Sequence, residues 1–147
     1  MELLLKENAQ KELTVTIEYP RYDGRVSRIV NAVKAEESCL SGEEDGRHYK
    51  IAIAEIFYIE SIEKRTFIYT RNNIYKVTKR LLRLEKELER YSFIRVSKNC
   101  LLNVNALECV KTLANSRLEA ELVNGEKIII SRTYIPEIRK AVSKEEP

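Results

Sequence analysis

Apolar and polar residues alternate over residues 12–19 (ELTVTIEY), with Leu13, Val15 and Ile17 on one face and Thr14, Thr16 and Glu18 on the other. A period of two predicts a strand, which Pro20 ends. After a turn at Asp23-Gly24 the period changes. Val26, Ile29, Val30 and Val33 recur at helical spacing, so residues 25–37 are predicted to form an amphipathic helix. Residues 38–47 (SCLSGEEDGR) carry two glycines and a run of charge and read as a linker.

Beyond the linker the pattern is mostly that of short strands. Alternation covers residues 49–53, and the runs 56–62 and 66–70 flank the polar Glu63-Lys64-Arg65 like the arms of a hairpin. Arg71-Asn72-Asn73 reads as a turn whose asparagines can take positive φ, and residues 74–77 as the strand after it. One strong helix is predicted over residues 78–91, with Leu81, Leu84 and Leu88 on one face and Leu82 beside them. Residues 93–96 and 101–104 are short apolar pieces around Ser97-Lys98-Asn99. Residues 107–113, 117–123 and 127–131 predict a three-stranded meander, turning at Asn115-Ser116 and Asn124-Gly125. A short helix is expected over 134–142, with Pro136 in its first turn. The predicted fold is mainly β with α: small antiparallel sheets with one or two helices, preceded by a strand–helix appendage. The expected division is an appendage with acidic linker, 1–47, and a body, 48–147.

Charge sharpens this division. The chain is 147 residues long with a net charge of +3. Residues 1–47 hold 7 basic and 10 acidic residues, whereas the remainder holds 19 and 13. A basic body behind an acidic leader fits a polyanionic partner for the body. No run approaches the length of a membrane span and no signal-peptide pattern is present, so a cytoplasmic protein is expected. Residues 1–47 are expected to assist self-association or partner docking; the competing reading is that they cap a sheet edge of the body.

Catalytic and metal chemistry finds little material. His48 is the sole histidine, and four glycines leave little for a phosphate-cradling loop. Cys39, Cys100 and Cys109 show no C-x-x-C spacing, so neither a disulfide framework nor a zinc site is expected. Cys100 and Cys109 lie in apolar runs and read as small hydrophobes. No enzyme, no cofactor and no metal is expected.

What does recur is a loop type. Lys64, Arg65 and Thr66, then Ser97, Lys98 and Asn99, then Ser131, Arg132 and Thr133, each follow or join apolar strands. Lys and Arg hold phosphates or the O6/N7 edge of guanine, Asn can pair with adenine, and Ser and Thr reach backbone or bases. Arg132 has a competing reading as an ion-pair partner of Glu137. RNA is another candidate ligand, since Tyr58, Tyr69 and Tyr75 could form a stacking face; cross-strand packing accounts for the same tyrosines.

At these residues the sequence resembles the LytTR DNA-binding family, over roughly 49–142. EIFYIES (55–61) is similar to the family's opening strand, and KVTKRLLRLEKEL (76–88) to its strand-into-helix segment. FIRVSKNCLLNVNAL (93–107) is similar to the block F-x-R-x-H-[RK]-S-[YF]-[LIV]-V-N, and ISRTYIPEIRK (130–140) to the closing S-R-x-Y segment. The resemblance implies an elongated fold of small antiparallel sheets and bacterial transcription regulation. Its loops would enter successive major grooves of double-stranded DNA at promoter direct repeats. It places the contacts at Lys64, Arg65, Thr66, Ser97, Lys98, Asn99, Ser131, Arg132 and Thr133. It also suggests a stand-alone member without a receiver domain and a membrane-protein regulator encoded nearby; a homodimer is expected separately, from the self-association assigned to residues 1–47. Two departures stand out. Ser97-Lys98-Asn99-Cys100 replaces His-[Arg/Lys]-Ser-aromatic, and Thr133 stands where Arg is common, so the family's usual target sequence is not carried over. The alternative function is an interaction module that sequesters a related regulator without binding DNA.

Overall fold

The computed structural model describes residues 1–143. Residues 12–19 form no strand there, although their alternation is that of one. The pattern supplies two faces but no neighbouring strand satisfies the backbone, and Leu13 and Val15 stand in solvent. The helix after them does form. In α1 (Gly24–Glu37) the Asp23 carboxylate caps the first turn, accepting from the Val26 N–H at 3.0 Å. This bond holds the Asp23 carboxyl below its ordinary pKa.

The segment read as a linker is a strand. β1 (Cys39–Glu44) pairs antiparallel with β2 (Arg47–Ala52) through a two-residue turn. Asp45 and Gly46 both have positive φ, 51° and 75°, as the tightest hairpin turn requires. The other glycine serves packing. A Cβ on Gly42 would collide with Ile51 Cδ1 and come within 2.8 Å of Tyr75 Cβ. Composition suggested a flexible connector, but one glycine closes a hairpin and the other admits its neighbours.

Five more strands complete this sheet: β3 (Tyr58–Ile62), β4 (Arg65–Tyr69), β5 (Ile74–Val77), β6 (Phe93–Ser97) and β7 (Cys100–Asn103). Their order is β2-β1-β5-β4-β3-β7-β6, all antiparallel. The β4–β5 turn falls where expected. Neither Asn72 nor Asn73 takes positive φ, however; Thr70 closes the turn through its backbone and hydroxyl bonds with Asn73. β8 (Leu107–Thr112), β9 (Leu118–Leu122) and β10 (Lys127–Ile130) form the expected meander as a separate three-stranded sheet. α2 (Leu81–Leu88) buries Leu81, Leu84 and Leu88 and leaves Leu82 exposed. It is shorter than its apolar period, because Arg80 is still extended and a 3-10 turn follows at Glu89–Tyr91. α3 (Ile135–Ser143) closes the described chain.

The large sheet is covered on both faces where β3 and β7 meet. Ile59 and Leu101 point into one cluster with Ile68, Leu84 and Leu88. Tyr58 and Leu102 point into another with Leu118, Leu122, Ile130 and Ile138. β7 is therefore buried at all four positions and shows no alternation. The buried Asn103 donates its Nδ2 to the Ile56 carbonyl at 2.8 Å, and its Oδ1 accepts the Asn105 N–H. Cys100 is buried as expected, and burial pushes its thiol up to about 12. Cys109 is exposed, contrary to expectation, because Leu107 and Val110 are the residues of β8 that pack on the core and Cys109 is turned outward.

The tyrosines pack rather than offer a stacking face. Tyr58 lies over its cross-strand partner Tyr69, ring centroids 4.3 Å apart, and donates its hydroxyl to Glu126 Oε2 at 2.8 Å. Tyr75 leans on Tyr49. The Tyr58–Glu126 bond ties the large sheet to the β9–β10 turn.

Two outcomes follow. Gly42→Ala should destabilise the protein by ~1–3 kcal/mol through overpacking, read as a lowered denaturant midpoint at unchanged slope. Burial and Glu126 raise the Tyr58 pKa above its ordinary 10.0. The folded state therefore keeps a proton that the unfolded state loses, and this stability is present below the unfolded pKa and declines above it. Wild-type stability should fall above pH 10.0, and Tyr58→Phe should flatten that fall. An unchanged alkaline slope in the variant would remove Tyr58 as its source.

Candidate nucleic-acid interface

The three polar loops are far apart in sequence, yet the sheet registers bring them to one edge. β3 runs antiparallel to both β4 and β7, so the β3–β4 and β6–β7 turns sit at the same end. The Ser61 N–H donates to the Asn99 carbonyl at 2.8 Å and joins the first two loops. The Ser131 N–H donates to the Val96 carbonyl at 2.9 Å and joins the third. Two backbone hydrogen bonds thus align the loops in a row.

Loop one is a tight turn built without glycine. Glu63 and Lys64 take φ of 49° and 68°. A side chain in the left-handed region costs of order 1–3 kcal/mol, and such residues concentrate at functional sites. Lys64 and Arg65 project into solvent. Thr66 does not: it is buried within β4 opposite Val77. Its inclusion among the surface contacts is corrected on that ground, because strand alternation turns it inward.

Loop two is braced from behind. A register shift interrupts the β6–β7 ladder between Arg95 and Ser97, the kind of bulge that re-aims neighbouring side chains. Arg95 forks onto Glu85 of α2, with Nη2 to Oε1 at 2.9 Å and Nε to Oε2 at 3.3 Å. Its Nη1 donates to the Lys98 carbonyl. The Arg95 side chain is only 15% exposed, and the hydrogen bonds to Glu85 raise its pKa further, so it is a fixed internal cation. The Ser97 hydroxyl accepts the Asn99 N–H at 3.3 Å and tightens the turn. Lys98 and Asn99 are left exposed and Ser97 half-buried.

Loop three follows β10 as a 3-10 turn, Arg132–Tyr134, and Ser131, Arg132 and Thr133 are all exposed. Arg132 donates its Nη2 to the Asn115 carbonyl at 3.4 Å rather than to Glu137. This contact reveals a neighbour that sequence reading treated only as a turn. Ile130 pairs with Leu118, and Leu118 with Thr112, so the β8–β9 turn lies beside loop three. Asn115 and Ser116 have φ of 66° and 60°, and Arg117 is exposed next to them. Basic and polar residue types at Asn115-Ser116-Arg117 were a visible signal; only the register shows that they share the edge.

The row contains cations and hydrogen-bonding groups but no visible catalytic grouping. Among the described residues no three His, Cys, Asp or Glu side chains gather to hold a metal, and no helix is long and apolar enough to cross a membrane.

Comparison with known proteins identifies the family and the fold. The family model described as the LytTr DNA-binding domain matches residues 46–143. An uncharacterized HTH-type transcriptional regulator of Staphylococcus aureus is 30% identical over 146 residues, covering 97% of this chain and 99% of its own. The sensory transduction protein LytT of Enterococcus faecalis is 28% identical over 107 residues, 73% of this chain but only 43% of that protein. The solved LytTr DNA-binding domain of a putative methyl-accepting/DNA response regulator from Bacillus cereus superposes with a TM-score of 0.67. It covers 72% of this chain and 97% of the solved one, and at 22% identity it speaks for the fold alone. The chain belongs to the LytTR family of DNA-binding domains.

Proposed function

We propose that this protein is a cytoplasmic, sequence-specific transcription regulator that reads the major grooves of double-stranded promoter DNA with its row of loops. The observation that carries the reading is the alignment of three polar loops by two backbone hydrogen bonds. A rigid row of Lys64, Arg65, Lys98, Asn99, Ser131, Arg132 and Thr133 suits a regular polyanion better than a small ligand. Ser97 contributes through the shape of loop two. Arg117 and Asn115 extend the row at its third-loop end.

The roles divide by chemistry. Lys98 is a flexible point charge suited to a phosphate; Arg132 carries a planar fork able to take guanine O6 and N7 together. Arg132 must leave the Asn115 carbonyl to do so. Arg95 positions loop two without touching DNA. The proposal includes self-association as a homodimer, motivated by the acidic residues 1–47 and the partnerless strand pattern of residues 12–19, and regulation by a membrane protein encoded nearby, suggested by the family resemblance.

Binding measured across a salt series tests this. The observed log K should fall by ~0.9 per log salt for each phosphate neutralised. Lys98→Ala should weaken binding about equally on all sequences and reduce the slope by about one unit. Arg132→Ala should cost ~1–3 kcal/mol and relax one position in a randomised-site selection. A motif unchanged at every position would exclude Arg132 as a base reader.

Glu85→Ala removes the anchor of Arg95 and should loosen residues 97–99. Specific affinity should drop while the salt slope stays as in wild type, because no phosphate contact is deleted. A changed slope would show that Glu85 acts on DNA electrostatics rather than on loop position.

A further inference from the structure

Residues 1–22 present an unusual surface. Among the described residues, Met1, Leu3, Leu4, Leu5, Leu13, Val15, Tyr19 and Tyr22 make up more than half of the exposed large hydrophobics. Within this stretch residues 12–19 have the two faces of a strand and no partner strand. An alternating segment without a ladder leaves both its apolar side chains and its backbone groups unmatched.

The large sheet has a matching vacancy at its other margin. β2 is the last strand in the order and has no neighbour beyond it. In a hairpin closed by a two-residue turn, the pair flanking the turn exchanges hydrogen bonds and the next pair does not. Glu44 opposes Arg47 at the turn, so the pairs with His48 and Lys50 are of the second kind. The N–H groups of His48 and Lys50 therefore point outward, away from β1.

The side chains sort in the same way on both pieces. On β2, Tyr49 and Ile51 share one face, and His48 and Lys50 the other. On residues 12–19, Leu13, Val15 and Ile17 share one face, and Glu12 and Glu18 the other. Docked antiparallel, one parity puts Leu13, Val15 and Ile17 on the face of Tyr49, which is 38% exposed, and Ile51, and allows Glu18 to lie beside His48 or Lys50. The opposite parity would set leucine and valine beside lysine. Apolarity selects the first arrangement; charge does not decide between them, because Arg47 shares the face of Tyr49. Docking leaves the nucleic-acid row free, because that row lies at the ends of β3, β4, β6, β7 and β10 and not on β2.

We propose that residues 12–19 of one copy add as a strand to the β2 edge of a second copy, and the reverse, giving a two-fold strand-exchanged dimer. This names the surface for the self-association proposed above and rests on that reading, but not on the DNA contacts. Reciprocity follows because each copy carries both the segment and the edge.

The test uses the full chain in solution. Light scattering should report a dimer for wild type. With the strand docked antiparallel, Thr16→Pro removes an N–H that faces the β2 edge, and Lys50→Pro removes an outward N–H from the receiving edge. Each should weaken dimerisation about tenfold or more. Neither group bonds within the monomer, so circular dichroism should match wild type. Mixing the two variants should restore association above that of either alone, since a mixed pair keeps one intact junction. A monomeric wild type would overturn self-association and the strand exchange together. A dimer indifferent to both prolines, or no recovery on mixing, would overturn the exchange only. A gel shift with Thr16→Pro on a single half-site reports separately on the DNA-reading row.

Discussion

Burial of both faces of β3 and β7 is the constraint on which the rest of the structure depends. A sheet covered on one side can tolerate some slippage of its strands; one covered on two sides cannot. Shifting β7 by a single residue would exchange Leu101 and Leu102 between two different clusters and point Asn103 away from Ile56. That fixed register sets where the β3–β4 and β6–β7 turns end. The loops can be short and polar because the strands behind them have no freedom.

The second cluster has a further role. It joins the small sheet and α3 to the large sheet through Leu118, Leu122, Ile130 and Ile138, and Tyr58 adds a directed bond to Glu126. Loop three leaves β10 at the top of this cluster, and so inherits its place from packing rather than from its own residues. The same holds for Arg95, which ties loop two to α2 through Glu85. The exposed residues of the row are thereby separated from those that hold it in place.

Much of this was legible in the sequence wherever a local signal and a tertiary partner agreed. β5 and the meander of β8, β9 and β10 could be read from alternation and asparagine turns. α2 could be read from Leu81, Leu84 and Leu88. The signals failed where a partner decided the outcome. Residues 12–19 have a strand's pattern and no neighbour, while residues 39–44 have a linker's composition and two neighbours. Thr66 looked like a loop residue until strand alternation turned it inward. The candidate residues other than Thr66 could be nominated by chemistry, but their alignment, the bracing by Arg95 and the nearness of Asn115 depend on registers that no local pattern encodes.

The hydrogen bonds that align the row also determine when it comes into being. Hairpins such as β3–β4 and β6–β7 are local and can close early, whereas Ser61 must find Asn99, and Ser131 must find Val96, across long stretches of chain. No single hairpin carries the aligned row, so a partly folded or nascent chain offers separate turns with the right charges and the wrong spacing. On the proposed reading, competence to read a regular helix therefore arrives with the last non-local contacts. It tracks the population of the folded state, so a mutation deep in either cluster lowers the active fraction without touching a single exposed residue.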